Sequence, residues 1–175
     1  MQILTTISRL IDGFNDKVGH LVGWLTTLMV LIVFYDTVMR YVFNKGNVAL
    51  QELERHLFAI VFLIGAAYTL KEGGHVRVDI LFIKFSDKTK AWVDFLGAIV
   101  LLLPFSIMVI LSAKGFVLNS WAVREVSPDP GGLPARYILK AMIPLGFSLL
   151  VLQGISQTIK NFMVIIGYEK AGDKE

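Results

Sequence analysis

The chain of 175 residues contains no cysteine. Disulfides, thiolate metal sites and thiol redox chemistry are therefore excluded. Charge is scarce as well. Asp, Glu, Lys and Arg make up 18% of the residues, and three long stretches lack them entirely: Val18 to Tyr35, Leu96 to Ala113 and Ala141 to Ile159. Proline is limited to five residues, of which Pro104 and Pro144 fall inside the uncharged stretches. The first residues have no basic segment leading directly into an apolar core and no small-residue cleavage site, so no cleaved signal peptide is expected.

What is present is hydrophobicity. Apolar residues reach 55%, where a soluble domain has about 45–50%; the mean hydropathy is +0.65. One bilayer crossing takes about 20 apolar residues. The uncharged stretches predict an all-α integral membrane protein with four transmembrane helices, over residues 18–43, 48–72, 87–119 and 137–167. Ile3, Leu4, Ile7, Leu10, Ile11 and Phe14 fall on one stripe at helical spacing, which predicts an amphipathic interfacial helix over residues 1–17. Gly73 and Gly74 suit a helix C-terminus. The segment from His75 to Phe85, with the alternation Val76-Arg77-Val78-Asp79-Ile80, reads as an interfacial loop or short helix, because a lone strand in lipid leaves its backbone unpaired. Ser86 is placed to cap the third span, and Pro104 to kink it. Residues 120–136 form a Pro/Gly-rich loop, and residues 168–175 a solvated tail.

Orientation follows from Lys and Arg. The N-terminal segment, middle loop and C-terminal segment carry two, five and three, and the other two loops three and four. Ten against seven places both termini in the cytoplasm. The net charge of +3 is modest and spread over loops; no nucleic-acid partner is expected.

Polar residues close to the spans are costly and therefore informative. Asp36 and Arg40 are four apart and can pair along one helix face, as can Glu52 with His56 and, at three apart, Glu52 with Arg55. Arg40 offers the Glu52 cluster a further positive partner. A lone Glu-x-x-x-His supplies too few ligands for a closed metal site, so neither metal nor cofactor is expected, and no catalytic set stands out. Mid-span positions are almost all apolar, whereas a transporter acting alone needs polar residues at mid-membrane. Two alternatives stay open: a haem- or quinone-binding anchor of a redox complex, using His20 and His75, and a stand-alone exporter, using Asp36 or Glu52.

Three stretches resemble the small (Q-type) membrane subunit of tripartite ATP-independent periplasmic (TRAP) transporters: "RYVFN" (40–44), "QELERHLF" (51–58) and "GAAYTLKEGGHVRVD" (65–79). The third is the most specific, with Gly65, Ala66, Lys71, His75, Val76, Arg77, Val78 and Asp79 at the family's positions. Ala49 and Gln51 depart from the family's Trp-x-Glu-Glu pattern. The resemblance implies a non-catalytic subunit of the bacterial inner membrane, surrounded by lipid. It would scaffold a large permease subunit and help dock a periplasmic substrate-binding protein for ion-coupled, sodium-driven uptake of an organic acid. It also implies a structural or subunit-interface cluster of Arg40, Glu52, Arg55, His75, Arg77 and Asp79. Periplasmic docking loops would contain Asn44, Lys45, Trp121, Arg124 and Arg136.

Overall fold

The computed structural model describes residues 1–74 and 85–168. Within them the chain forms four long helices: α1 (Gln2–Tyr41), α2 (Val48–Lys71), α3 (Asp87–Ala122) and α4 (Arg136–Ile165), each long and apolar enough to cross a membrane. Their ends carry recognisable stop signals. The Asn47 side chain accepts from the Ala49 amide at 2.9 Å and starts α2. Gly73, at φ +69°, ends it, with the Gly74 amide returning to the Thr69 carbonyl. The Ser86 hydroxyl accepts from the Thr89 amide and starts α3.

Two features differ from the sequence expectation. The N-terminal amphipathic segment is helical but continues without a break into the first span, giving one helix of 40 residues, about 60 Å long at 1.5 Å per residue. Pro104 is preceded by a widened π turn, Ala98–Leu102, within α3. Proline removes an amide donor and crowds the preceding carbonyl, and a wider turn relieves both.

The helix α4 is central and packs against α1, α2 and α3. The apolar core of the membrane region is small: Val22, Ile64, Ala67 and Leu149, with Val18, Ile60, Val61 and Met142 against it. Helices approach closely where small residues permit it. A Cβ on Gly146 would lie 2.6 Å from the Leu63 carbonyl oxygen, so α4 rests on the backbone of α2 there. On the other side Gly19 lies against the Tyr68 ring.

Polarity is inverted relative to a soluble protein. Of the seven largest fully buried side chains, only Met163 is apolar; the others are Gln153, Asn15, Asp36, Ser8, Ser106 and Ser156. Most large hydrophobic residues face outward, as they do when lipid is the solvent.

The buried polar residues form a ladder between antiparallel α1 and α4. Ser8 and Ser156 share a hydroxyl–hydroxyl bond of 2.7 Å, and the Asn15 amide donates to the Gln153 carbonyl oxygen at 2.7 Å. Asp12 accepts from Gln153 at 2.9 Å and Ser156 at 2.7 Å, and pairs with Lys160. At the same level Asp16 of α1 meets Lys71 of α2 at 2.6 Å. This ladder accompanies the unbroken α1: the polar face of residues 8–15 is committed to α4 and Asp16 to α2, which ties the segment to the bundle along its length.

A mutational cycle tests that account. Asn15→Leu is expected to cost about 1–3 kcal/mol, because Gln153 is left buried with an unmet acceptor. The double substitution Asn15→Leu/Gln153→Leu is expected to recover most of that loss, since it removes the donor and the acceptor of the pair together, while Asp12, which loses Gln153, keeps Ser156 and Lys160. Thermal unfolding in detergent reads both; additive losses would mean the pair is not coupled.

Candidate functional site

Antiparallel helices bring the α1–α2 and α3–α4 connections to the same end of the bundle, opposite the chain termini. Residues 42–47 and 123–135 lie there. The three described non-glycine residues with positive φ are Asn44 (52°), Arg124 (45°) and Ala135 (63°). All three lie in these two connections. Such backbone costs energy and persists only where surrounding contacts enforce it.

Glu52, in the second turn of α2, holds the second of these connections. It is 3% exposed. One carboxylate oxygen accepts the Ser127 hydroxyl and the other accepts the Leu133 amide at 2.6 Å. Both partners belong to the 123–135 connection, so a single α2 side chain clamps two points of the loop. The loop also closes on itself. The Ser127 amide donates to the Leu133 carbonyl at 3.1 Å, and the Arg136 amide to the Glu125 carbonyl at 3.0 Å. Gly132 leaves room for the clamp: a Cβ there would lie 2.7 Å from a Glu52 oxygen. Arg55 stands 3.8 Å from both Glu52 and Asp129. Its side chain is 66% exposed, so these looser pairs add little.

The sequence-identified residues fall into three groups. Arg40 binds Asp36 at 2.5 Å and is not a partner of Glu52; Asp36 is fully buried and its second oxygen has no hydrogen-bond partner among the described residues. His56 bonds through Nδ1 to the Glu52 backbone carbonyl at 2.6 Å, leaving the Glu52 carboxylate to the loop. Asn44, Lys45, Trp121 and Arg124 are exposed at the loop end, and Arg136 is half-buried beside them. Trp121 packs edge-on against Tyr137 with centroids 4.7 Å apart. With Tyr41, Val42, Phe43, Val123 and Val126, also exposed, it forms an aromatic and apolar rim of the kind that sits at a membrane–water boundary. His75, Arg77 and Asp79, and the interfacial segment that contains them, lie outside the described residues. His20 is in the terminal half of α1, with Nδ1 2.8 Å from the Asp16 carbonyl; it is remote from His56.

Residues 29–163 match the family model described as "Tripartite ATP-independent periplasmic transporters, DctQ component". The chain belongs to this family. A curated relative named "Putative TRAP transporter small permease protein" from Haemophilus influenzae is 30% identical over 109 residues, covering 62% of this chain and 68% of the relative. The "C4-dicarboxylate TRAP transporter small permease protein DctQ" of Vibrio cholerae is 26% identical over 191 residues, covering 94% of this chain and 82% of the relative. No solved structure gives a significant match. The chain is thus a TRAP small permease subunit and a multi-pass membrane protein.

Sequence reasoning missed the Ser8–Asp12–Asn15 ladder and the Glu52 clamp. The ladder had a signal: Gln153, Ser156 and Lys160 repeat the same three- and four-residue steps on α4 as Ser8, Asp12 and Asn15 do on α1. The clamp had none, because Ser127 and Leu133 are far along the chain from Glu52.

At the loop base Glu125 pairs with Lys140, whose ammonium also lies 4.0 Å from the Phe116 ring centre. The hydrogen bond from Lys140 holds the Glu125 carboxyl below its ordinary range. A lowered folded-state pKa stabilises above the unfolded value, about 4.3, and that stabilisation disappears as pH falls through the folded value. In a variant with Trp24 and Trp92 replaced by Phe, so that Trp121 is the one emitter, fluorescence is therefore expected to hold steady above about pH 5 and to change on acidification below about pH 4. Lys140→Ala should shift the change to higher pH; an unaltered midpoint would remove Glu125 from the account.

Proposed function

We propose that this TRAP small subunit is a non-catalytic scaffold in the bacterial inner membrane. It would hold a large permease subunit in place and present its loop end to a periplasmic substrate-binding protein. The observation that carries this reading is the contrast between a dry mid-membrane core, Val22, Ile64, Ala67 and Leu149, and a loop end held by the buried Glu52 clamp. A solute path needs polar groups at mid-depth; a scaffold needs a rigid end surface.

In this proposal both termini are cytoplasmic, in line with the Lys and Arg bias, and the connections at 42–47 and 123–135 are periplasmic. Asn44, Lys45, Trp121, Arg124 and Arg136 contribute to the docking surface. Arg40, Glu52 and Arg55 maintain its shape from below; His75, Arg77 and Asp79 serve the opposite side. The complex would import an organic acid by coupling to an ion gradient, sodium being the coupling ion we favour. The Vibrio cholerae relative is named for C4-dicarboxylates, which makes succinate the first substrate to try.

The test is co-purification followed by reconstitution. The tagged chain, co-expressed with its large permease, is expected to yield a one-to-one complex. In proteoliposomes supplied with the binding protein, that complex should accumulate succinate only with an inward sodium gradient, and neither membrane subunit should do so alone. Uptake by the small subunit alone, or purification always as a lone species, would refute the scaffold reading.

A further inference from the structure

The outward face of α1 carries a pattern that membrane solvation does not require. Large apolar residues recur at alternating steps of four and three from one end of the helix to the other. In the terminal half they are Ile3, Ile7, Leu10 and Phe14; in the second half Leu21, Trp24, Leu28 and Leu31, ending at Tyr35. All are exposed, Ile3 at 76% and Trp24 at 75%. Lys17 occupies the one step between Phe14 and Leu21, and it is exposed too. Steps of four and three repeat every seven residues, the seam of a helix that packs along another helix.

Three observations decide what covers this seam. First, the stripe is narrow in the terminal half. Exposed Gln2, Thr6, Arg9 and His20 flank it, whereas a lipid-solvated face is apolar all round. A strict stripe two residues wide fits one helix. Second, the polar ladder fastens the opposite face of this half of α1 to α4, so the stripe is the side left for a partner outside the chain. Third, Lys17 has no ion-pair partner among the described residues. A charged residue at a seam position selects its partner. In a parallel two-fold dimer of this chain, Lys17 would face Lys17, and like charges in register are repelled. The seam therefore calls for a different chain with a carboxylate at that level. Beside it, Gly23, Trp24, Thr27 and Tyr68 help to line a recess of about 390 Å³. A Cβ on Gly23 would meet nothing within 4 Å, leaving space for a large side chain of the incoming helix.

We propose that the outer face of α1 is the seam on which a helix of the large permease subunit packs, with a carboxylate of that helix opposite Lys17. This inference rests on the scaffold reading for the identity of the partner, and the experiment separates the two.

The photo-crosslinking residue benzoylphenylalanine is placed at position 10, position 21 or, as a control on the outward face of α3, position 100 (replacing Leu10, Leu21 or Val100). Each variant is co-expressed with the large permease and irradiated. Adducts of this chain with the large subunit are expected from positions 10 and 21 and not from position 100. Lys17→Glu should retain about tenfold less large subunit on the affinity column, as loss of a desolvated charge pair does. The variant by itself should elute and melt like the parent, since Lys17 has no ion-pair partner among the described residues. Co-purification of the complex without adducts from positions 10 and 21 would overturn the seam and leave the scaffold reading intact. So would adducts between two copies of this chain, or with phospholipid alone. Failure of the parent chain to retain any large subunit would overturn the scaffold reading and the seam with it.

Discussion

Gly146→Leu is expected to keep the bundle from closing, and Gly146→Ala to destabilise it clearly. The Cβ of either variant would stand 2.6 Å from the carbonyl oxygen and 2.9 Å from the carbonyl carbon of Leu63. These are backbone atoms of a helix, so no rotamer change clears them; α2 and α4 must move apart. Overpacking of this kind costs about 1–3 kcal/mol for one added methyl. In a chain of this size that corresponds to a melting temperature lower by roughly 3–10 °C. Leucine adds three more carbons to the same clash, and the expected result is loss of a monodisperse species in detergent. Gly65→Ala is the matched control. Its Cβ would meet only a methyl of Val22 at 3.4 Å, ordinary contact with a side chain that can give way. Equal shifts from the two alanine variants would mean that backbone proximity at Gly146 does not govern the packing of α4 on α2.

Glu52→Ala is expected to release the 123–135 connection while leaving the four helices in place. The Ser127 hydroxyl and the Leu133 amide would both lose their acceptor. The hydroxyl can rotate to another partner; the amide cannot. Hydrogen exchange at Leu133 should accelerate by roughly ten- to a hundredfold, and docking of the binding protein should weaken in parallel. Glu52→Gln makes a sharper case. The side-chain amide can turn its oxygen to the Leu133 amide and donate its NH₂ to Ser127, so both contacts survive without the charge. Exchange in this variant is expected to stay within about threefold of the parent. If glutamine were as damaging as alanine, the negative charge itself, and not the geometry of two acceptors, would be what the loop end uses. Gly132→Ala approaches the clamp from the other side, because its Cβ would lie 2.7 Å from a Glu52 oxygen.

The fold class was legible because lipid imposes a simple rule on sequence. Segments without charge and long enough to span must be helical, since only a helix satisfies its own backbone in hydrocarbon. The Asp36–Arg40 pair was legible for a similar reason: partners four apart on a helix meet wherever the helix goes. Pairing across the bundle was not. The stripe of Ile3, Ile7, Leu10 and Phe14 suggested a helix lying on the membrane, yet the opposite face, Ser8, Asp12 and Asn15, is fastened to Gln153, Ser156 and Lys160. Helical periodicity identifies the two faces of a segment but does not say which neighbour each will find.

The sequence by itself determined the solvent of this protein, its helical class, the approximate ends of its spans and its family resemblance. Each of these depends on residues close together in the chain. The tertiary structure alone decided that α1 is one unbroken helix, that its interior face is polar, and that the Glu52 carboxylate is bonded to a loop, with its helical neighbour Arg55 at a looser 3.8 Å. Those outcomes depend on which long-range donors and acceptors the packed helices bring within reach of one another, and in a low-dielectric interior leaving a polar group unpaired is costly. Ser127, Leu133, Gln153 and Ser156 supply those donors and acceptors from positions that only the folded bundle brings into reach.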